Sequence, residues 1–295
     1  MTPAARARLA WTVGLLVVTI GIVVAVRSVD WRAALSTIAH VRIGWLVLAV
    51  VLNAGILVAW GGFWSVLAPR AARVPYRRMF EIAAIASAVM NTVPFLAGHA
   101  TGVALLIKRA GLSAQSALSV LALDQLGEGI VKVAVCLAVG LFSPLPGWMH
   151  RAFIGVTIVV GLLLVLLLFV ANSSERWGRD LAALRDVRHG IVALVLVAMS
   201  KVMEALGIVA VQHAFGLGFA LPAVLLVLAA VLLATMIPVS PGNLGAYEAA
   251  AFFVYRYLGL SPEQALALAI VQHLCFMAPS IGVGYALGAR RAIRG

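Results

Sequence analysis

Carboxylates inside apolar stretches are where chemistry is to be sought first in this chain. Glu248 is one of them. It stands about one helical turn beyond the run Ser240-Pro241-Gly242-Asn243-Leu244-Gly245, in surroundings built from Ala, Val, Leu and Phe. A carboxylate within hydrocarbon is costly and usually serves a function. Ser240 followed by Pro241 has the form of an N-cap and first-turn pair, so a helix is expected to start there. Its free amides and positive dipole end would favour an anionic group such as phosphate. Gly242 and Gly245, with Asn243 between them, remove side chains where a headgroup or a neighbouring backbone would approach. The simpler reading of the same prolines and glycines is helix breaking and close packing.

Asp124, Glu128 and Lys132 follow at i, i+4 and i+8, which puts them on one helix face. Lys201 and Glu204 are spaced i, i+3. These groups either form internal ion pairs that fix packing or line a polar cavity that includes a proton-coupling carboxylate. His99 and His273 are satisfied core histidines on one reading; on the other they titrate near neutral pH in a wet site. Asn91, Pro94 and Gly98 interrupt an earlier apolar stretch much as Pro241 to Gly245 interrupt the later one. Cys136 and Cys275 lie in apolar runs without metal-ligand spacing and read as packing residues. No cofactor is implied.

The elements that carry these residues follow from composition. The chain is 64% hydrophobic and 11% charged, with a mean hydropathy of +1.10. Soluble domains carry roughly 25% charged residues. Apolar runs of about 18–25 residues are long enough to cross a ~30 Å hydrocarbon core as helices. Only helices and closed barrels satisfy their backbone in lipid, and these Leu-, Ala- and Val-rich runs do not alternate as barrel strands do. The expected fold is all-α: a polytopic helical membrane protein with about six full spans and two re-entrant helical hairpins. The net charge of +12 lies between the apolar runs rather than on one soluble face, which argues for rims facing anionic lipid and against nucleic acid.

The expected spans are Leu9–Val26, Ile43–Ala68, Ala114–Phe142, Arg151–Ala171, Gly190–Ala214 and Pro262–Gly288. The first is read as retained, because Val24-Ala25-Val26-Arg27 offers no good signal-peptide cleavage site. Met79 to Arg109 and Pro222 to Tyr257 are the two interrupted stretches. With the N-terminus inside and both hairpins returning to their own side, fifteen Lys and Arg fall inside and five outside. That bias fits the positive-inside rule and expects both termini on the cytoplasmic face of the cell membrane.

The chain also repeats itself. Residues 43–142 and 190–288 each read span, broken hairpin, span. Gly111-Leu112-Ser113 recurs as Gly259-Leu260-Ser261. Residues 1–42 form an N-terminal span and an amphipathic segment, 143–189 a connecting span and loop, and 289–295 a basic tail, all within one transmembrane domain. In this layout the repeat is inverted, the pattern of secondary transporters with a site near the midplane.

Pro238 to Glu248, then Gly259 to Ala265, resemble a signature of the lysylphosphatidylglycerol synthase transmembrane family, also called flippase-like. Asn91 to Gly98, then Gly111 to Glu128, resemble its other signature. The resemblance covers roughly Ile43 to the C-terminus. It implies transfer of lipids between leaflets, with Pro94, Gly98, Asp124, Glu128, Pro241, Gly242, Gly245 and Glu248 carried over by motif. The chain departs from the family pattern where Leu96 and Gly102 replace basic residues, His99 replaces an acid and Gln125 stands for an arginine.

Four functions are expected from these readings. The first is a flippase or transporter of an anionic or phosphate-bearing lipid, without catalytic activity. The second is an intramembrane enzyme acting on a lipid-linked substrate, for which no nucleophile, base and metal set stands out. The third is a secondary transporter of a small solute or ion, and the fourth a membrane partner of a lipid- or glycan-modifying enzyme. Membrane lipids are the expected partners, with a homo-oligomer or such an enzyme as further ones.

Overall fold

The computed structural model describes residues 31–69, 72–93, 97–143, 145, 147–172, 187–236 and 240–292. The expected first span, Leu9–Val26, and Pro94 lie outside these residues. The described residues are helical and carry no strand. In chain order the helices are α1 (Trp31–Ala39), α2 (Ile43–Leu67), α3 (Tyr76–Thr92), α4 (Ala97–Ala110), α5 (Ala114–Phe142), α6 (Gly147–Asn172), α7 (Val187–Ala214), α8 (Leu221–Ala234), α9 (Ala246–Tyr257) and α10 (Pro262–Ala292).

Among the described residues, four stretches are long and apolar enough to cross a membrane: Ile43–Leu67, Ala114–Phe142, Arg188–Ala214 and Pro262–Arg290. They coincide with four of the expected spans. The expected span Arg151–Ala171 lies within α6.

Both interrupted stretches are pairs of short helices, α3 with α4 and α8 with α9, whose arms lie against each other. At the first pair the approach is close: a Cβ on Gly98 would stand 2.5 Å from Met90 Cβ. The second arm of each pair ends at a glycine in the left-handed region, Gly111 (φ 70°) and Gly259 (φ 93°). After α9 the amides of Gly259 and Leu260 bond back to the carbonyls of Arg256 and Tyr255, a Schellman stop. Two residues later a serine starts the next helix in both places. Ser113 Oγ accepts from the Ser116 amide, and Ser261 Oγ from the Gln264 amide, with Gln264 Oε1 returning to the Ser261 amide. The second is a capping box. The repeated Gly-Leu-Ser is therefore a stop-and-start device joining each pair to the long helix after it.

The halves interlock. α3 packs on α10 and α8 on α5, so each pair's first arm rests on the other half's last helix, while α2 and α7 make the broadest contact in the described molecule. Small residues allow these approaches, as between helices in lipid, where packing rather than hydrophobic exclusion drives association. Gly207 sits against Asn53, Gly55 against Met203, and Gly284 against the Ala84 carbonyl and the Ala88 methyl. Two buried clusters result. One gathers around α3, α4 and the first half of α5; the other gathers around α8, α9 and the first half of α10.

Candidate functional site

Asp124 on α5 is 1% exposed. Its Oδ1 accepts from two indoles of α2, Trp60 Nε1 at 2.6 Å and Trp64 Nε1 at 2.9 Å, and its Oδ2 accepts from Gln125 Nε2 at 3.0 Å. Donors to a charged acceptor make strong hydrogen bonds, so this buried carboxylate is held without a cationic partner. Trp60 and Trp64, at i and i+4 on α2, are functional neighbours that reading residue types alone missed. Their spacing, which points both indole N–H groups the same way, was the available signal. Gln125 Nε2 also lies 3.3 Å from His99 Nε2 at the start of α4.

One turn along α5, Glu128 meets Lys201 of α7 at 3.2 Å and Lys132 at 3.6 Å. Lys201 also bonds Glu204 Oε2 at 3.2 Å. Asp124, Glu128 and Lys132 lie on one helix but take different partners: Glu128 and Lys132 join a four-membered chain with Lys201 and Glu204, while Asp124 turns to the indoles.

A second polar group is centred on Tyr247, which belongs to the second helix pair. Tyr247 stacks on His273 with ring centroids 4.0 Å apart and planes at 4°. His273 Nδ1 lies 2.7 Å from Glu248 Oε1. Tyr247 Oη accepts from Gln272 Nε2 at 2.8 Å, Gln272 Oε1 accepts from Tyr255 Oη, and Gln212 Nε2 donates to Tyr255 Oη. Tyr247, Tyr255, Gln212 and Gln272 were also missed from sequence. Gln272 adjoins His273 and Tyr247 adjoins Glu248, so adjacency to a titratable residue was the signal.

The turn between α8 and α9 corrects one expectation. Ser240 and Pro241 open a single tight turn, Pro241–Asn243, and not the helix. Gly242 and Asn243 both take φ 56°, a left-handed conformation that cannot propagate a right-handed helix. The helix begins at Ala246, and the Gly245 amide at its start donates to Glu248 Oε2 at 2.7 Å. Ser240 Oγ donates instead to the Leu244 carbonyl. Glu248 thus caps its own helix, which removes one amide from those expected to bind phosphate.

The two tips touch. A Cβ on Gly242 would stand 2.9 Å from the Asn91 carbonyl oxygen and 2.9 Å from Met277 Cε. The Asn91 side chain turns back to the Ser87 carbonyl. Asn243 Oδ1, His99 Nδ1 and His273 Nε2 are buried without a hydrogen-bond partner. Among the described residues, no three His, Cys, Asp or Glu side chains converge as a metal site.

The structure therefore brings most of the sequence-chosen polar residues into two groups, leaving out Asn91, Ser240 and Asn243. One group runs from His99 through Gln125 to Asp124, with Glu128, Lys132, Lys201 and Glu204 one turn along α5, and the other joins Tyr247, His273 and Glu248; together they make a polar path with one end at each helix pair. A search of curated proteins finds no match to the chain. The family model described as the lysylphosphatidylglycerol synthase TM region matches residues 11–284. With apolar helices of crossing length and a match over nearly its whole length, this multi-pass membrane protein belongs to the lysylphosphatidylglycerol synthase transmembrane-region family.

Proposed function

We propose that the chain is a non-catalytic transporter that moves a phosphate-bearing lipid between the leaflets of the cell membrane. The observation that carries this reading is the polar path between the two helix pairs, built inside an otherwise apolar bundle. Groups that are costly in hydrocarbon are concentrated where an alternating site would lie. The arms of 17, 14, 14 and 12 residues are about 18–26 Å long at 1.5 Å per residue. That is short of the ~30 Å core, which supports re-entrant hairpins whose tips meet near its middle. Irregular backbone at that depth is tolerated where it lines a cavity. Trp64 and Gln212, Asp124 and Gln272, and Gln125 and His273 are each 148 positions apart, as are Gly111 and Gly259. Equivalent places in the two halves thus carry the polar groups, in support of an inverted repeat with both termini inside.

Charge narrows the headgroup. Asp124, Glu128, Glu204 and Glu248 stand against Lys132 and Lys201, so the path holds more carboxylates than ammonium groups. A headgroup with an amine beside its phosphate would find partners for both, as the family's name also suggests. The lipid tails stay in the bilayer while one half rocks against the other.

The experiment is transbilayer movement of labelled phosphatidylglycerol, an aminoacylated phosphatidylglycerol and a polyprenyl phosphate in proteoliposomes. Movement of the aminoacylated lipid at least tenfold above protein-free vesicles is expected, with loss in Glu128→Gln. Absence of movement for every lipid by a folded protein overturns the reading.

A further inference from the structure

Glu248 and His273 are joined more tightly than packing requires. They come from different helices, α9 and α10, and meet at 2.7 Å through Oε1 and Nδ1. Each is also held from its far side: Glu248 Oε2 accepts the Gly245 amide, and the imidazole lies flat on Tyr247. A carboxylate on Nδ1 fixes the tautomer of a neutral imidazole, with the proton on Nδ1 and a lone pair on Nε2. That Nε2 is buried and has no hydrogen-bond partner, although His273 is only 2% exposed. The pair thus presents one open basic nitrogen inside the protein.

We propose that Glu248 and His273 form a proton-binding site whose filling and emptying drives headgroup movement through the path. The proton comes from water on one side and binds Nε2, giving imidazolium while Glu248 remains a carboxylate. On the other side Nε2 releases it to water, and the neutral tautomer returns. With imidazole neutral the pair carries one negative charge; with imidazolium it carries none. A net charge is costly inside the bilayer, so the protonated pair is the form suited to an occluded state. The places 148 positions earlier in the first half hold Gln125 for His273 and Ala100 for Glu248, so the device belongs to one half alone.

The surrounding charges bear on the same ring. Tyr247 and Glu248 meet it from α9. Glu204 of α7 is paired to Lys201. α2 contains no titratable side chain. α3 touches α10 at Gly284, and its Tyr76, Arg77, Arg78 and Glu81 lie toward the end of α3 remote from the tip. α1, which also packs on α10, carries Arg32.

The coupling rests on the transport reading, and the test separates the two. The full chain in nanodiscs, labelled with nitrogen-15 histidine, is titrated between about pH 5 and 8, with the His273 signal assigned from His273→Gln. Uptake of a proton at Nε2 is expected, with proton affinity falling at least tenfold in Glu248→Gln. An unchanging His273, or one that titrates identically in Glu248→Gln, overturns the proposal. If Glu248→Gln does not fold, the wild-type titration and the following arm decide. In proteoliposomes a one-unit pH gradient should bias the steady-state distribution of the transported lipid by up to about tenfold for one proton per lipid. Lipid movement without that bias overturns the coupling and leaves the transport reading standing. A titrating pair in a protein that moves none of the lipids supports the proton site and overturns the transport reading.

Discussion

Gly242 rests on the backbone carbonyl of Asn91, close enough that a Cβ at 242 would stand 2.9 Å from that oxygen. This is the place where the tips of the two helix pairs meet. Gly242 also holds φ 56°, so two constraints fall on one residue. Gly242→Ala is expected to cost about 1–2 kcal/mol from the left-handed backbone alone, with the displaced tip adding to it. Thermal unfolding in detergent should fall, and lipid movement should slow more than stability does. An unchanged melting temperature would show that the tips do not bear on each other.

The clasp on Asp124 predicts unequal costs for two similar changes. Trp64→Phe leaves a buried carboxylate short of one donor, at a cost of about 1–3 kcal/mol. Asp124→Asn keeps an acceptor oxygen for both indoles and should cost less. Denaturant unfolding of Trp60→Phe, Trp64→Phe and the double variant should show non-additive losses, because both indoles share one oxygen.

Lys201 lies between Glu128 and Glu204, whereas Lys132 reaches only Glu128, at 3.6 Å, with its side chain 22% exposed. Lys201→Met should leave two carboxylates uncompensated and destabilise by about 3–5 kcal/mol. Lys132→Met should stay within about 1 kcal/mol. Equal losses in the two variants, measured by unfolding, would contradict the shared role of Lys201.

Gly284 and Gly282 are two positions apart on α10 but face different surroundings. A Cβ at 284 would run into the Ala84 carbonyl, while one at 282 would meet nothing within 4 Å. Gly284→Ala should destabilise by about 1–3 kcal/mol through forced separation of α3 and α10. Gly282→Ala should be neutral or stabilising by up to about 1 kcal/mol. Melting of the two single variants side by side checks the contact between the halves.

Much of this was readable before any coordinates. Residues that break helices do so locally, so Asn91 to Gly98 and the run around Pro241 marked the two interruptions. Gly-Leu-Ser marked the stop and start after each pair for the same reason. Ser240 shows where local reading fails. Its cap signal is genuine in form, but Gly242 and Asn243 take left-handed backbone, and the helix waits until Ala246. Glu248 was chosen from sequence, yet its double duty, capping Gly245 and holding His273, was not visible there.

The sequence by itself determined that the chain is helical, lies in a membrane and breaks its helices at two places, because these depend on composition, on short-range breaks and on backbone hydrogen bonding. Only the tertiary structure decided the partners. Asp124 faces indoles and not a lysine, Lys201 bridges Glu128 of α5 to Glu204, and Glu248 reaches His273 across 25 positions. Those choices depend on how each helix is rotated and which arm it packs on. Glycines such as Gly207, Gly242 and Gly284 set those rotations by contacts between residues remote in the chain.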